Sequence, residues 1–265
     1  MKTMVTVSPN LLSRHLNTPL LKKAYSIIES DEETMELIKM ANVMAVHRMM
    51  YNDHGIVHVR IVAGTALELL DLVLQAGQVP STIHDRSAKN IDEAKLVVLL
   101  ASYLHDIGNS IHRFNHEQIG AILAKDILDR VLPDILGYRG KRMIALRQEI
   151  MHIIYATEYH TNCLTLECSV VKIADGLDMS EGRARIPYKL GKVDMHAMSA
   201  LSIKKVEIEK GERPIRIIVK MDDMAGLFQL EQVLMPKIRT STIQDYIEIH
   251  MVLPDKTIKY YPRHE

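Results

Sequence analysis

Apolar residues recur with a helical period through roughly the first 190 residues, and helix-start signals accompany several of these stretches. Ser30 followed by Glu33 predicts a capping box that opens a helix running to about Met50. A further helix is predicted over residues 141–159, and Thr165 is predicted to cap a shorter one. The pattern indicates an irregular helical bundle without an internal repeat.

Two histidines lie at the start of another predicted helix. Asn52 and Asp53 are candidate N-caps for this helix, and Gly77 is its predicted end. His54 and His58 are four residues apart, so both imidazoles are predicted to project from one helical face. Either side chain would reach the same small volume.

Two more capping boxes are predicted, at Asn90 with Glu93 and at Asn115 with Gln118. The first of them opens an apolar run over residues 91–104, which ends immediately before a histidine and an aspartate. Because helix ends fray, two neighbouring side chains at such a position are able to converge on one ligand.

The apolar pattern changes from a helical to an alternating period after about residue 200. Val206 and Ile208 alternate with charged residues, and Ile215, Ile217 and Val219 do the same after a turn. This alternation is typical of strands that bury one face.

The rest of the chain completes a small α+β part. Residues 222–234 predict a helix, and residues 246–252 and 257–261 predict two further strands, which gives a β-β-α-β-β order. We therefore predict a mainly α chain, with a helical domain over 1–198 and a small α+β domain over 199–265. The small domain is a candidate for dimerisation or regulation, and exposed strand edges favour a homodimer.

Composition excludes several classes of protein. The 33 basic residues balance the 33 acidic ones, so no overall charge attracts nucleic acid or a membrane, and we expect neither as a partner. The first residues lack the apolar core of a signal peptide, and no apolar run approaches the ~20 residues that span a bilayer, which predicts a cytoplasmic protein. Cys163 and Cys168 match no disulfide framework or zinc ribbon, so we expect two ordinary thiols.

Candidate metal ligands follow one another in a suggestive order along the chain. His58 comes first, the adjacent pair His105 and Asp106 ends an apolar helix, and Asp175 follows the buried-looking run 170–174. One such histidine alone is usually a half-buried or capping residue, so the ordered set is the argument. Imidazole and carboxylate without thiolate suit Zn, Mn, Fe, Ni or Mg, and positions left for water indicate a catalytic site.

This order resembles that of the HD superfamily of metal-dependent phosphohydrolases, over about residues 50–188. The resemblance implies a helical HD domain, a divalent metal held by His58, His105, Asp106 and Asp175, and hydrolysis of a phosphate ester by metal-activated water. The segment HGIVHV also resembles the H-x-x-x-H of cyclic-nucleotide phosphodiesterases. That similarity implies His54 as the general acid.

Binuclear members of the superfamily suggest additional roles. By resemblance to these members, Asp106 would bridge two ions and orient the nucleophile. The segments NHEQIG and EYHT resemble those that hold the second ion. His116, His152 and His160 are the corresponding candidate ligands, with His116 also an alternative proton donor. Whether one or two ions bind stays open.

Two arginines are candidates for binding the phosphate of a substrate. Arg183 and Arg185 follow the last aspartate closely, and guanidinium binds phosphate bidentately, although a solvated loop paired with Glu181 is an equal alternative. Asp178 is either a partner of a metal ligand or a helix-end cap. The segment SVVKIADGLDMSEGRARIPY resembles uncharacterised prokaryotic HD proteins that carry a carboxy-terminal α+β segment.

The leading hypothesis is a phosphohydrolase that acts on a nucleotide or a related small phosphorylated molecule. The alternative is a nucleotide-binding sensor that uses an HD pocket without turnover. A structural metal clamp is a third hypothesis, which the open ligand set disfavours. Substrate identity, the number of ester bonds at phosphorus and the choice of metal are not determined by the sequence.

Overall fold

Helices dominate the amino-terminal part of the computed structural model, which describes residues 4–180 and 195–262. In chain order they are α1 (Leu11–His15), α2 (Pro19–Ser30), α3 (Glu32–Asn42), α4 (Ile56–Gln75), α5 (Ser81–His84), α6 (Ile91–Leu104), α7 (His116–Leu136), α8 (Lys141–Ala156) and α9 (Leu166–Leu177). A π-helical turn (Val43–Arg48) extends α3, and a 3-10 turn (Ile107–Ser110) follows α6. The predicted mainly α fold with a small α+β part is confirmed.

Two apolar helices, α4 and α6, form the centre of the bundle. Both are buried on nearly every side, from Val59 to Val73 in α4 and from Glu93 to Leu104 in α6. A helix that is apolar all round is stable only inside other elements, and here α1, α2, α8 and α9 surround the pair. This packing places the first turn of α4, the end of α6 and the end of α9 close together.

Two predicted helix starts are confirmed by their hydrogen bonds. The Asn90 side chain accepts from the backbone N–H of Glu93 at 3.0 Å, and Thr165 Oγ1 accepts from that of Cys168 at 3.1 Å. Gly77 ends the α4 region as predicted, with a positive φ of 89°. These signals are local, so the sequence determines them.

Two other capping predictions are wrong. Ser30 is the last residue of α2, and Asp31 caps α3 instead by accepting from the backbone N–H of Thr34 at 2.9 Å. Asn115 has a φ of 57° and makes no capping bond, because the chain there turns through the left-handed conformation that Asn tolerates.

A five-stranded sheet follows the bundle. Its strands are β1 (Val5–Thr6), β2 (Ile203–Glu209), β3 (Ile215–Met221), β4 (Ile247–Val252) and β5 (Thr257–Tyr261), in that spatial order. Neighbours are antiparallel except β3 and β4, which are parallel. The predicted β-β-α-β-β order is present, and alternate residues of β3 are buried as the pattern indicated.

The first strand was not predicted. Val5 pairs with Ile208, so the amino terminus of the described chain joins the carboxy-terminal sheet. Two residues are too short for an alternating pattern to be visible. The division of the chain near residue 198 stays a prediction.

Parallel strands require a crossover connection, and here it is helical. The crossover segment consists of a 3-10 turn (Met224–Gly226), α11 (Leu227–Gln229), a π-helical turn (Leu230–Leu234) and α12 (Met235–Arg239). A preceding helix, α10 (Met195–Ser202), leads into β2. Because the π-helical turn and α12 pack on α9, the crossover segment lies beside the end of that helix.

The expectation of two ordinary thiols is wrong, since Cys163 and Cys168 form a disulfide. The turn that leads into α9 brings their Cα atoms to 5.5 Å, within the range that a disulfide requires. Spacing alone does not reveal such a turn. In the described ranges 4–180 and 195–262, no helix is both long and apolar enough to cross a membrane.

Candidate metal centre

The helix that carries the first metal-ligand candidate starts later than predicted. Gly55 is the residue before α4, so Asn52 and Asp53 are not its N-caps. Asp53 instead accepts from the backbone N–H of Gly55 at 2.7 Å, in a turn that precedes the helix. His54 therefore lies outside the helix, and the prediction that it shares a helical face with His58 is wrong.

His54 nevertheless reaches the centre, from the loop. Its backbone N–H donates to Asn42 Oδ1 at 3.0 Å, and its Nδ1 lies 2.5 Å from Asp106 Oδ2. His58 projects from the first turn of α4, and the two rings lie 5.6 Å apart. Tertiary hydrogen bonds, and not helical periodicity, bring these histidines together.

His105 and Asp106 form the turn between α6 and the 3-10 turn. His105 Nδ1 donates to the carbonyl of Ser102 at 2.8 Å, which directs Nε2 toward the cluster. Asn109 donates to Asp106 Oδ1 at 3.0 Å, and both HD residues are buried. The sharp change of direction after α6 lets these neighbours face one volume, as the sequence indicated.

Gly108 makes room for the next helix. A Cβ at this position would overlap the backbone carbonyl of His116 and lie 2.7 Å from the backbone nitrogen of Gly120. Only glycine permits this approach, and it brings His116 Nε2 to 3.4 Å from Asp106 Oδ1.

Replacing Gly108 with alanine should destabilise the fold by about 3 kcal/mol or more, because two backbone segments have to separate. Chemical denaturation measures the change, with Ser110→Ala in the same turn as the control. Unchanged stability of the Gly108→Ala variant would show that the turn accommodates a Cβ without moving α7.

Asp175 and Asp178 complete the cluster from the end of α9. Asp175 Oδ1 lies 3.3 Å from His58 Nε2 and 3.7 Å from His105 Nε2. Asp178 Oδ2 accepts from His58 Nδ1 at 2.7 Å, which makes it the carboxylate behind a ligand histidine. Both roles that the sequence left open for Asp178 are present, because it contacts His58 and is also the C-cap residue of α9.

Within the cluster, His58, His105 and Asp175 form a group that could hold a divalent ion. His58 Nε2 and His105 Nε2 are 3.3 Å apart, and each is 3.4 Å from Asp106 Oδ2. Ligand atoms about 2.0 to 2.2 Å from a common ion lie roughly 3 to 3.6 Å from one another, close to these separations. Both histidines form hydrogen bonds with other groups through Nδ1, so their Nε2 lone pairs face the two carboxylate oxygens. Lone pairs and carboxylates together are the donor set that a cation requires.

A second group that could hold an ion consists of His54, His58 and Asp106. His54 Nδ1 lies 2.5 Å from Asp106 Oδ2. This separation is too short for two ligands of one ion and corresponds to a hydrogen bond. In this arrangement His54 is therefore a hydrogen-bonded neighbour of Asp106.

Both carboxylates are held in the ionised form. Burial alone would raise the pKa of Asp106, but His105, His54 and His116 hold that pKa well below its ordinary value. Burial would likewise raise the pKa of Asp175, which Lys237 and the neighbouring histidines keep well below its usual range. The centre is therefore prepared to bind a cation at neutral pH.

Weakening the support of His58 should weaken metal binding. In Asp178→Asn the imidazole loses its carboxylate partner, and we expect the affinity for Mn²⁺ to fall about 10- to 100-fold. Isothermal titration calorimetry measures this loss. Asp85→Asn is the matched control, because Asp85 contacts His84 at 2.8 Å on the exposed surface. Equal affinities in both variants would contradict a supporting role for Asp178.

Two cations of the site are not marked by any pattern in the sequence. Lys237, from α12, donates to Asp175 Oδ2 at 2.7 Å and lies 4.6 Å from the centre of the Tyr159 ring. Burial would lower its pKa, but the charge of Asp175 raises it. Nothing local in the sequence marks this lysine, because its partner lies 62 residues away.

Arg113 is the second cation. It donates to Asn109 Oδ1 at 3.2 Å, it contacts His116 Nε2 at 3.0 Å, and it lies 6.0 Å from the centre of the Tyr51 ring. His116 Nδ1 contacts Glu117 at 2.9 Å. Burial would lower the pKa of His116, yet Asp106 and Glu117 raise it, which suits a group that exchanges protons.

The remaining candidates from the sequence lie in different places. Among the described residues, His160 lines the cavity, whereas His152 does not. His152 Nε2 instead accepts from the backbone N–H of Leu164 at 3.4 Å, and burial lowers its pKa. Arg183 and Arg185 lie outside the described residues, and a second ion stays a prediction.

A cavity of about 510 Å³ opens onto the metal centre. The bundle contributes Tyr51, Arg113 and Tyr159 to its walls, and the crossover segment contributes Phe228 and Lys237. This volume lies in the range of small-molecule sites. The carboxy-terminal part therefore forms one wall of the cavity.

Comparison with known proteins agrees with this geometry. Residues 55–180 match the HD domain family. Over 230 residues the chain is 38% identical to the uncharacterized protein MJ1020 of Methanocaldococcus jannaschii. The aligned region covers 86% of this chain and 88% of that protein. No solved structure matches the chain. The family match includes every ligand candidate of the cluster.

Proposed function

The chain belongs to the HD-domain family, and from this premise we propose that it is a divalent-metal phosphohydrolase acting on a small phosphate ester, with nucleotides as the substrate class. The observation that carries the proposal is that two imidazole nitrogens 3.3 Å apart each lie 3.3 to 3.7 Å from the same two carboxylate oxygens. The resemblance inferred from the sequence is confirmed at the level of the family.

Four residues would hold the ion: His58, His105, Asp106 and Asp175. A bound divalent ion would lower the pKa of its water to about 7 and polarise a phosphoryl oxygen, which is the chemistry that phosphate ester hydrolysis requires. Asn109 fixes the orientation of Asp106, and Asp178 fixes that of His58. The ligands are thus held in place by neighbours before any substrate arrives.

Proton transfer to the departing oxygen is assigned to His54. It engages Asp106 through Nδ1, so the proton would leave from Nε2. His116 is the alternative donor, since it lies beside the same carboxylate and its pKa is raised. The neighbouring carboxylate would stabilise the charged form of either imidazole.

Phosphate binding is assigned to the cations of the cavity. Arg113 and Lys237 line it on the sides of Asp106 and Asp175, respectively. Aromatic side chains suited to stacking a base, Tyr51 and Phe228, line the same cavity. Its volume and the balanced charge of the chain favour a small substrate over a polymer.

The test is turnover by the purified protein with added Mn²⁺, measured on aryl phosphate monoesters and diesters and on linear and cyclic nucleotides. We expect hydrolysis that EDTA abolishes and Mn²⁺ restores. A folded protein that binds metal and nucleotide without hydrolysing any member of the panel would contradict the hydrolase and favour the nucleotide sensor.

A further inference from the structure

A buried lysine connects the crossover segment to the metal centre. Lys237 is 2% exposed, and its ammonium donates to Asp175 Oδ2 at 2.7 Å. Its stem lies against α9 where Gly176 leaves space, since a Cβ there would lie 3.0 Å from Lys237 Cδ. A residue of the carboxy-terminal part is therefore inserted among the ligands of the bundle.

The surroundings of this ammonium explain why it tolerates burial. The carbonyl of Thr157 accepts from Nζ at 3.3 Å, and the Tyr159 ring lies 4.6 Å away. Neither group carries a full negative charge, so Asp175 is the anion that compensates the lysine in this contact. A buried charge without such compensation is costly.

The two oxygens of Asp175 have different neighbours. Oδ2 receives the lysine, while Oδ1 faces His58 Nε2 and His105 Nε2 at 3.3 and 3.7 Å. The lysine therefore fixes the plane of the carboxylate and leaves one oxygen directed at the metal position. Any ion bound there shares Asp175 with a resident positive charge.

We propose that Lys237 is a built-in counter-ion of Asp175, which stabilises the centre without metal and lowers its affinity for a divalent cation. Lysine and metal both draw on the charge of Asp175, so each weakens the hold of the other. The carboxy-terminal part thereby adjusts metal binding in the bundle. This inference rests on the metal centre of the proposed function and not on its turnover.

The test compares wild type with Lys237→Met in EDTA and in saturating Mn²⁺. In EDTA we expect the Tm of the variant to fall on the order of 10 °C, since Asp175 loses the positive charge of the Lys237 ammonium. Added Mn²⁺ should raise the Tm of the variant more than that of wild type. Calorimetry should show Mn²⁺ bound on the order of tenfold more tightly by the variant.

Lys172→Met is the matched control. Lys172 is also fully buried, on α9, but the backbone carbonyls of Glu158 and Thr161 hold its ammonium at 2.6 and 2.7 Å. Its loss should lower the Tm equally with and without Mn²⁺. If Lys237→Met does not fold, Lys237→Gln removes the charge but keeps a hydrogen-bond donor, and the same tighter binding is expected.

Equal or weaker Mn²⁺ binding by the Lys237 variants would overturn the inference. If the wild-type protein nevertheless hydrolysed a phosphate ester, the proposed function would hold without the counter-ion role of Lys237. Tighter Mn²⁺ binding by the variants of a protein that hydrolyses nothing would support the counter-ion role and contradict the hydrolase. A wild-type protein that binds no Mn²⁺ would overturn both.

Discussion

We expect that replacing Asp106 with alanine removes bound metal and hydrolysis together. Asp106 Oδ2 lies 3.4 Å from the Nε2 atoms of both His58 and His105, so the variant loses one of the four converging ligand atoms. The negative charge that faces these imidazoles is lost as well. We expect metal affinity to fall by more than about a hundredfold, beyond the effect of losing a residue that only supports a ligand.

Elemental analysis of protein purified without chelator measures the metal, and phosphate release measures turnover. Asp126→Ala is the control, because this aspartate is exposed on α7 and contacts Lys125. We expect wild-type metal content and activity in the control. An Asp106→Ala protein that retained stoichiometric metal would show that Asp106 is not a ligand.

Replacing His54 with glutamine should damage turnover far more than metal content. His54 contacts Asp106 at a hydrogen-bonding distance of 2.5 Å, too short for two ligands of one ion. Glutamine fills a similar space but cannot deliver a proton at neutral pH. We expect kcat to fall about 10²- to 10⁴-fold, the contribution of a positioned general acid.

Steady-state kinetics on an aryl phosphate and on a substrate with a poorer leaving group test whether the variant has lost protonation of the leaving group. The defect should be larger for the poorer leaving group, because that oxygen depends more on protonation. His47→Gln, on the exposed surface, is the control. If His54→Gln lost metal in proportion to activity, His54 would be a ligand and His116 the remaining candidate acid.

Local signals allowed much of the fold to be predicted. Asn90 and Thr165 cap their helices through bonds to residues three positions ahead, so a short segment contains the whole interaction. The alternation in β3 and the apolar character of α6 likewise depend on neighbours in sequence. Capping failed at Ser30, because an adjacent aspartate competed for the same helix start.

The sequence by itself determined which residues are the candidate metal ligands, since His58, the HD pair and Asp175 follow a recognisable order. Only the tertiary structure decided how they meet. His54 reaches Asp106 across 52 residues and Lys237 reaches Asp175 across 62, through contacts that no local period encodes. Such contacts depend on how helices pack and where backbones approach closely, and packing is a property of the whole folded chain.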